Sequence, residues 1–125
     1  MKKTLFFYMA VILAGIFFWI WATQAVSQDT IQEKEIYLFT QKTCPHCWAA
    51  EAYLKEKYSG LAIQARDISD QQNRALFYAC GEKFGLSKVK MGTPLFCMGE
   101  HYIMGWSQEE QKKFDTYVQD FLPSE

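Results

Sequence analysis

The feature that most constrains this chain is an uncharged apolar run from Leu5 to Ala22, L-F-F-Y-M-A-V-I-L-A-G-I-F-F-W-I-W-A. Lys2 and Lys3 precede the run, and the next charged residue after it is Asp29. A run of this length is a candidate membrane span. A positive start followed by an apolar stretch and small residues is also the layout of a secretory signal. No polar face interrupts the run, which disfavours a helix packed inside a soluble domain.

This leader leaves two fates open. Thr23-Gln24-Ala25 and Ala25-Val26-Ser27 are the candidate cleavage sites. We therefore interpret residues 1–27 as a signal peptide or a signal anchor, residues 28–34 as a short linker, and residues 35–125 as one domain. In either case the lysines hold the N-terminus in the cytoplasm, so the sequence predicts that the domain is exported.

Export changes both the net charge to be considered and the chemistry expected of the cysteines. The exported part has lost two lysines and no acid, which leaves 11 basic against 14 acidic residues, a net charge of about −3. It contains no basic block, so we expect no nucleic acid among its partners. Thiols pair in an oxidising compartment, whereas the same spacing in the cytosol favours metal binding. Four cysteines are concerned: Cys44, Cys47, Cys80 and Cys97.

The apolar pattern of residues 35–125 predicts an α/β domain with the order β-α-β-α-β-β-α. Strands are expected over 35–40, 61–68, 95–98 and 101–104, and helices over 45–58, from a cap at 69 to about 84, and after 107. In the first of these helices, the apolar face is assigned to Trp48, Ala49, Ala52 and Tyr53.

Turn and cap residues support the boundaries. Ser69, with Gln72 three residues later, predicts the start of the second helix of the domain. Gly85 followed by Leu86 predicts a Schellman-type end to it. Ser107 is expected to cap the last helix, with Glu110 at the capping-box position.

The stretch T-C-P-H-C-W, Thr43 to Trp48, carries the candidate chemistry. Cys44 directly precedes a predicted helix, where unpaired backbone N–H groups and the helix dipole favour a thiolate. Pro45 fits the first helical turn because its missing N–H is not needed there. Cys47 lies one turn further on, so the two sulfurs can meet. A structural disulfide or half of a zinc site is the alternative, but no second C-x-x-C completes a zinc set.

In the order of its elements and in the position of its cysteine pair, the chain resembles the thioredoxin superfamily. The C-P-H-C after the first strand and the T-P before the third strand carry the resemblance, which covers roughly residues 35–122. In size and in G-T-P-L-F-C-M-G-E-H-Y-I-M-G-W the chain is most similar to glutaredoxins, and its Pro-His dipeptide is similar to that of DsbA-type periplasmic oxidases. The resemblance implies a thioredoxin-like fold with a mixed four-stranded sheet flanked by helices.

The resemblance also implies roles for individual residues. Cys44 would be the attacking cysteine, Cys47 the resolving one, and His46 a group that stabilises the Cys44 thiolate. Thr93 and Pro94 would form the surface where a substrate strand docks, with a cis peptide bond between them.

Two positions depart from the family pattern. Thioredoxins carry a buried acid six residues before the first cysteine, and this chain has Leu38 there. Glutaredoxins usually carry a basic residue three before that cysteine; this chain has Gln41, with Lys42 displaced by one. The first departure leaves proton transfer at Cys47 to water or another group, and the second argues against glutathione binding.

The remaining cysteines have two interpretations. Cys80 shares an apolar helix face with Leu76 and Phe84, and Cys97 lies within a predicted strand. Buried, inert thiols are common at such positions. A second disulfide between them is the alternative, provided that packing brings their α-carbons within about 7 Å.

Together these features predict an exported thiol-disulfide oxidoreductase of the bacterial periplasm, either anchored in the inner membrane by residues 5–22 or released by cleavage. We expect a monomer that exchanges disulfides with exported proteins and is restored by a membrane redox partner. No cofactor or metal is expected beyond the Cys44–Cys47 disulfide. The direction of electron flow stays open, as do two other functions: a binding module for envelope or secretion assembly, and a periplasmic metal carrier.

Overall fold

A computed structural model describes residues 2–22 and 31–123 of the chain. Its elements, in chain order, are α1 Lys2–Ala22, β1 Ile36–Thr40, α2 Pro45–Lys57, β2 Ile63–Asp67, α3 Gln71–Lys83, β3 Leu95–Met98, β4 His101–Met104 and α4 Gln108–Tyr117, which continues into a 3₁₀ turn over Val118–Phe121. The order of elements after α1 is the predicted one.

Helix α1 contains the apolar run that the sequence predicted as a span or a secretory signal, and its apolar side chains from Leu5 to Phe17 are exposed. Among the helices of residues 2–22 and 31–123, none is both long enough and apolar enough to cross a membrane. The candidate cleavage sites at 23–25 and 25–27, and the first part of the predicted linker, lie outside the described residues.

The four strands form one mixed sheet in the order β2-β1-β3-β4. Strand β1 is parallel to β2 and antiparallel to β3, and β3 is antiparallel to β4. The two central strands are buried along their whole length, which explains why both read as continuous apolar runs rather than as alternating ones.

Each face of the sheet has its own core. Side chains of β1 alternate between the faces, as the pleat requires. Ile36 and Leu38 pack against α2 and α4, in a cluster completed by Ala50, Leu54, Phe96, Met98, Ile103, Trp106, Phe114 and Val118. Tyr37 and Phe39 pack against α3, in a cluster completed by Phe77, Cys80, Leu95 and Cys97.

The predicted apolar face of α2 was wrong except at Tyr53, which is half-buried and packs against the core. The buried residues of this helix are Cys47, Ala50 and Leu54, whereas Trp48 is 56% exposed. Cys44 caps the helix and Cys47 turns inward on its first turn, so the face that follows Cys47 at helical spacing is the one that meets the sheet. The aromatic residue beside Cys47 is therefore left at the surface.

The predicted cap of α3 was also wrong by one residue. Asp70 is the N-cap, and its carboxylate accepts from the backbone N–H groups of Gln72 and Asn73 at 2.9 and 3.1 Å. Ser69 instead donates its N–H and its hydroxyl to the carboxylate of Asp67. The side chain of Ser69 is bound within the turn that follows β2, so the next residue with a suitable acceptor, Asp70, caps the helix.

The other two predicted helix-end residues, Gly85 and Ser107, are confirmed. Gly85 has a φ of +67°, and the N–H of Leu86 donates to the carbonyl of Gly81, as in a Schellman motif. Ser107 caps α4 by accepting from the N–H of Glu109, and its hydroxyl contacts the carboxylate of Glu110.

A polar cluster that the sequence did not indicate joins α2 to α4. The carboxylate of Asp115 accepts from the hydroxyls of Tyr53 and Tyr58 and pairs with Lys57 at 3.0 Å. Burial and, after it, the neighbouring carboxylate together raise the pKa of Tyr58 to about 12. These bonds lower the pKa of Asp115 below its ordinary value although burial opposes them.

Candidate active site

The sheet brings two loops together at one end. In the antiparallel pairing of β1 with β3, Phe39 lies opposite Leu95. The loop that follows β1 therefore lies beside the loop that precedes β3. The first carries Cys44, and the second carries Thr93 and Pro94.

Cys44 is the N-cap of α2. Its backbone is extended, with φ −102° and ψ 105°, and its sulfur accepts from the N–H of Cys47 at 3.2 Å. Pro45 occupies the first helical position, as predicted. A cysteine sulfur thus takes the position where serine or aspartate usually satisfies a free N–H. Negative charge on this sulfur is favoured by the N–H groups and by the helix dipole.

The two sulfurs have opposite environments. Cys44 is partly exposed, whereas Cys47 is fully buried. Burial alone would raise the pKa of Cys44, but hydrogen bonds from the Cys47 thiol, the Thr93 side chain and the backbone of Cys47 and His46 outweigh it, so the pKa is lowered. Burial and, after it, the Cys44 side chain together raise the pKa of Cys47 to about 11. The exposed sulfur is thus the one that ionises first.

Thr93 and Pro94 close the opposite side of the site. The peptide bond between them is cis, which is the isomer that the resemblance implied. The Cys44 thiol donates to the carbonyl of Thr93 at a sulfur-to-oxygen distance of 3.6 Å. Pro94 is fully buried, and its carbonyl accepts from the N–H of Gly105 at 2.8 Å, so the loop is held to the end of β4.

His46 lies on the exposed side of the first turn of α2. Its backbone N–H contributes to the lowered pKa of Cys44. Within residues 31–123 its imidazole makes no hydrogen bond. That N–H is a backbone group, so the predicted role of the His46 side chain in stabilising the thiolate stays a prediction.

The departures from the family pattern have structural counterparts. Leu38 is 1% exposed and is part of the core beneath α2, so an apolar side chain fills the position of the family's buried acid. Gln41 is exposed, and its side-chain oxygen accepts from the hydroxyl of Thr93 at 3.3 Å. The sequence singled out Gln41 only as a missing cation; its contact with the opposite loop has no local sequence signal.

Cys80 and Cys97, which the sequence left as either thiols or a disulfide, are joined by a disulfide. Their α-carbons are 6.4 Å apart, and the two residues are 0% and 1% exposed. The bond ties α3 to β3, the strand that begins directly after Pro94. It lies in the core on the α3 side, where solvent does not reach it.

Cysteine and histidine are also metal ligands. In the part of the chain that the structure describes, no group of three or more histidine, cysteine, aspartate or glutamate side chains is arranged to hold a metal ion.

Comparison with known proteins finds neither a matching family model nor a matching curated protein. Among solved structures, a mutant of a thioredoxin-like protein is similar with a TM-score of 0.50 and 19% identity, over 67% of this chain and 97% of the other. A glutaredoxin of Archaeoglobus fulgidus has a TM-score of 0.49 and 21% identity, over 63% of this chain and 83% of that one. Glutaredoxin 1 of Francisella tularensis, solved with cacodylate, has a TM-score of 0.46 and 22% identity, over 69% of this chain and 96% of that one. The mixed four-stranded sheet with its flanking helices, and the similarity to the thioredoxin-like protein, show that the domain that follows α1 has a thioredoxin-like fold.

Proposed function

We propose that the chain is a thiol-disulfide oxidoreductase that exchanges disulfides with proteins through Cys44 and Cys47. The asymmetry of the pair carries the proposal. Reactivity in exchange requires a thiolate that a substrate can reach. Cys44 has a lowered pKa and is partly exposed, whereas Cys47 is buried with a pKa of about 11.

In the reducing direction, the Cys44 thiolate attacks one sulfur of a substrate disulfide. The new bond joins Cys44 to the substrate, the substrate's own S–S bond breaks, and the departing thiolate takes up a proton. Cys47 then loses its proton and attacks the Cys44 sulfur, which releases the second substrate thiolate. The substrate gains two electrons, and the Cys44–Cys47 pair becomes a disulfide. In the oxidising direction the same steps run in reverse.

The electrostatics of the pair suit this order of events. One contribution that raises the pKa of Cys47 is the negative charge of Cys44. That charge disappears when Cys44 enters a mixed disulfide. Cys47 therefore ionises more readily at the stage where it is needed. Since Leu38 replaces the family's buried acid, the proton leaves through water or a substrate group.

The proposal includes a location and partners. The two lysines and the apolar run of residues 1–22 support export to the bacterial periplasm. There the substrates would be exported proteins with thiols or disulfides, and a membrane redox partner would restore the pair. The redox-active disulfide is then the chain's own cofactor. Gln41, which stands where glutaredoxins carry a basic residue, argues against a dedicated glutathione site.

The experiment compares two matched variants. Cys47→Ser is expected to accumulate a mixed disulfide with substrate protein, because the resolving thiol is gone. Cys44→Ser is expected to form none and to lose insulin reduction. Full activity of Cys44→Ser in that assay would contradict the proposal.

The direction of electron flow follows from the reduction potential of the pair, measured in glutathione buffers. A value above about −150 mV supports an oxidant that donates disulfides, and one below about −220 mV supports a reductant. The Cys80–Cys97 bond is followed separately by mass spectrometry.

A further inference from the structure

Gln41 contacts both loops of the candidate site. Its backbone carbonyl accepts from the N–H of Cys44 at 3.2 Å. Its side-chain Oε1 accepts from the hydroxyl of Thr93 at 3.3 Å. The first bond holds the loop that ends at Cys44, and the second reaches across to the loop that carries Pro94. One residue thus joins the attacking cysteine to the surface that faces it.

Thr93 in turn presents two groups to Cys44. Its carbonyl accepts from the Cys44 thiol at 3.6 Å, and its hydroxyl, which donates to Gln41 in this structure, belongs to the same residue and lowers the pKa of Cys44. A threonine hydroxyl has a single proton to donate. While Cys44 is a thiol, that proton is free for Gln41. When Cys44 ionises, its sulfur becomes an acceptor only, and the same proton then has two acceptors to choose between.

We propose that Gln41 is a positioning residue that competes with the Cys44 sulfur for the hydroxyl proton of Thr93 and so sets how readily the attacking cysteine ionises. Its effect on disulfide exchange rests on the proposed function, whereas its effect on the ionisation of Cys44 does not. A stronger acceptor at position 41 withdraws the proton from the sulfur, and a side chain that cannot accept releases it.

The groups around Cys44 allow this competition to be isolated. The groups that act on its pKa are Cys47 and the backbone of His46 on α2, and Thr93 opposite them, while Lys42 precedes it by two positions in the sequence. From the opposite loop, Thr93 presents only a carbonyl and a hydroxyl. Gln41 carries no charge, so removing its amide changes hydrogen bonding and leaves these neighbours in place. Its side chain is exposed, so the core is unaffected.

The test measures the rate at which iodoacetamide alkylates Cys44 as a function of pH, by mass spectrometry on the full-length chain with the Cys44–Cys47 pair reduced. Gln41→Met keeps the length of the side chain and removes the acceptor. It is expected to raise the thiolate fraction of Cys44 about threefold at a pH below its pKa. This is the effect expected when the Thr93 hydroxyl is released from Gln41 and its one exposed hydrogen bond becomes available to the sulfur. Gln41→Glu, a stronger acceptor, is expected to lower that fraction. In a Thr93→Val background, Gln41→Met is expected to have no effect.

Two results would overturn the inference. One is a thiolate fraction that Gln41→Met leaves unchanged or decreases. The other is an equal increase with and without the Thr93 hydroxyl, since Gln41 would then act by another route. An insulin-reduction assay on the same proteins separates the two proposals. If the wild-type chain shows no exchange while alkylation shifts as expected, the proposed function fails and the competition for the Thr93 proton stands.

Discussion

Reduction of the Cys80–Cys97 disulfide is expected to cost the domain about 3 kcal/mol of stability. The two residues are separated by 17 positions. In the chain-entropy description, closing a loop of this length lowers the entropy of the unfolded chain enough to stabilise the folded state by about 3 kcal/mol. Both cysteines are fully buried in the α3 core, and their thiols would still fill that space after reduction. The loss should therefore come from the unfolded chain more than from packing.

The measurement is urea unfolding of the Cys44→Ser/Cys47→Ser chain, followed by far-ultraviolet circular dichroism, with and without dithiothreitol. In this background the reductant can change only the Cys80–Cys97 bond. For a domain of this size the expected loss corresponds to a fall in Tm of roughly 15 °C. A Cys80→Ala/Cys97→Ala variant should be at least as unstable as the reduced chain, because it also leaves a small cavity.

Equal free energies of unfolding in the two redox forms, within about 0.5 kcal/mol, would refute the reasoning, since the error of such extrapolations is of that order. Either the bond would be absent in solution, or the reduced unfolded chain would already be as compact as the cross-linked one. The urea dependence distinguishes these cases. A cross-link makes the unfolded state more compact, so the oxidised chain should show the smaller m-value.

Two further predictions concern stability. Asp115→Asn is expected to lose about 1–2 kcal/mol, because its carboxylate accepts from two tyrosines and pairs with Lys57. The pKa of Asp115 is lowered in the folded chain, so its contribution is present above the unfolded pKa of about 4 and is lost as pH falls through the folded value. Urea titrations at pH 7 and pH 3 should show the variant's deficit shrinking in acid, and a constant deficit would exclude this origin. Gly85→Ala is expected to cost about 1 kcal/mol in thermal unfolding, because φ is +67° at the end of α3. Gly60→Ala is the matched control, since nothing lies within 4 Å of its added methyl group and its φ is not positive, and equal losses in both variants would contradict the argument.

The order of the elements after α1 could be predicted because each signal is local. An extended apolar run followed by turn residues predicts a strand wherever the strand finally lies, and a glycine after the last helical turn ends a helix for reasons of backbone geometry alone. The positions of Cys44 and Pro45 could be predicted for the same reason. A cysteine and a proline at a strand-to-helix junction determine a cap and a first turn within a few residues of chain.

The errors arose where two local options were equally good. Ser69 and Asp70 can both cap a helix, and the choice depended on Asp67, which takes the N–H and the hydroxyl of Ser69. The face of α2 could not be read from its composition because alanines occur around the whole helix. The direction in which Cys47 turns decided that face, and this direction depends on the sheet.

By itself, the sequence determined the succession of strands and helices, the helix-capping position of Cys44, and the spacing that lets Cys47 reach it, because these depend on residues within one or two turns of each other. Only the tertiary structure decided that Cys80 pairs with Cys97 and that Gln41 meets Thr93. Those pairs are distant along the chain, and their contacts exist because α3 packs on β3 and because β1 and β3 run antiparallel. Pairing between distant residues depends on the register of the sheet and the docking of a helix, which no local pattern encodes.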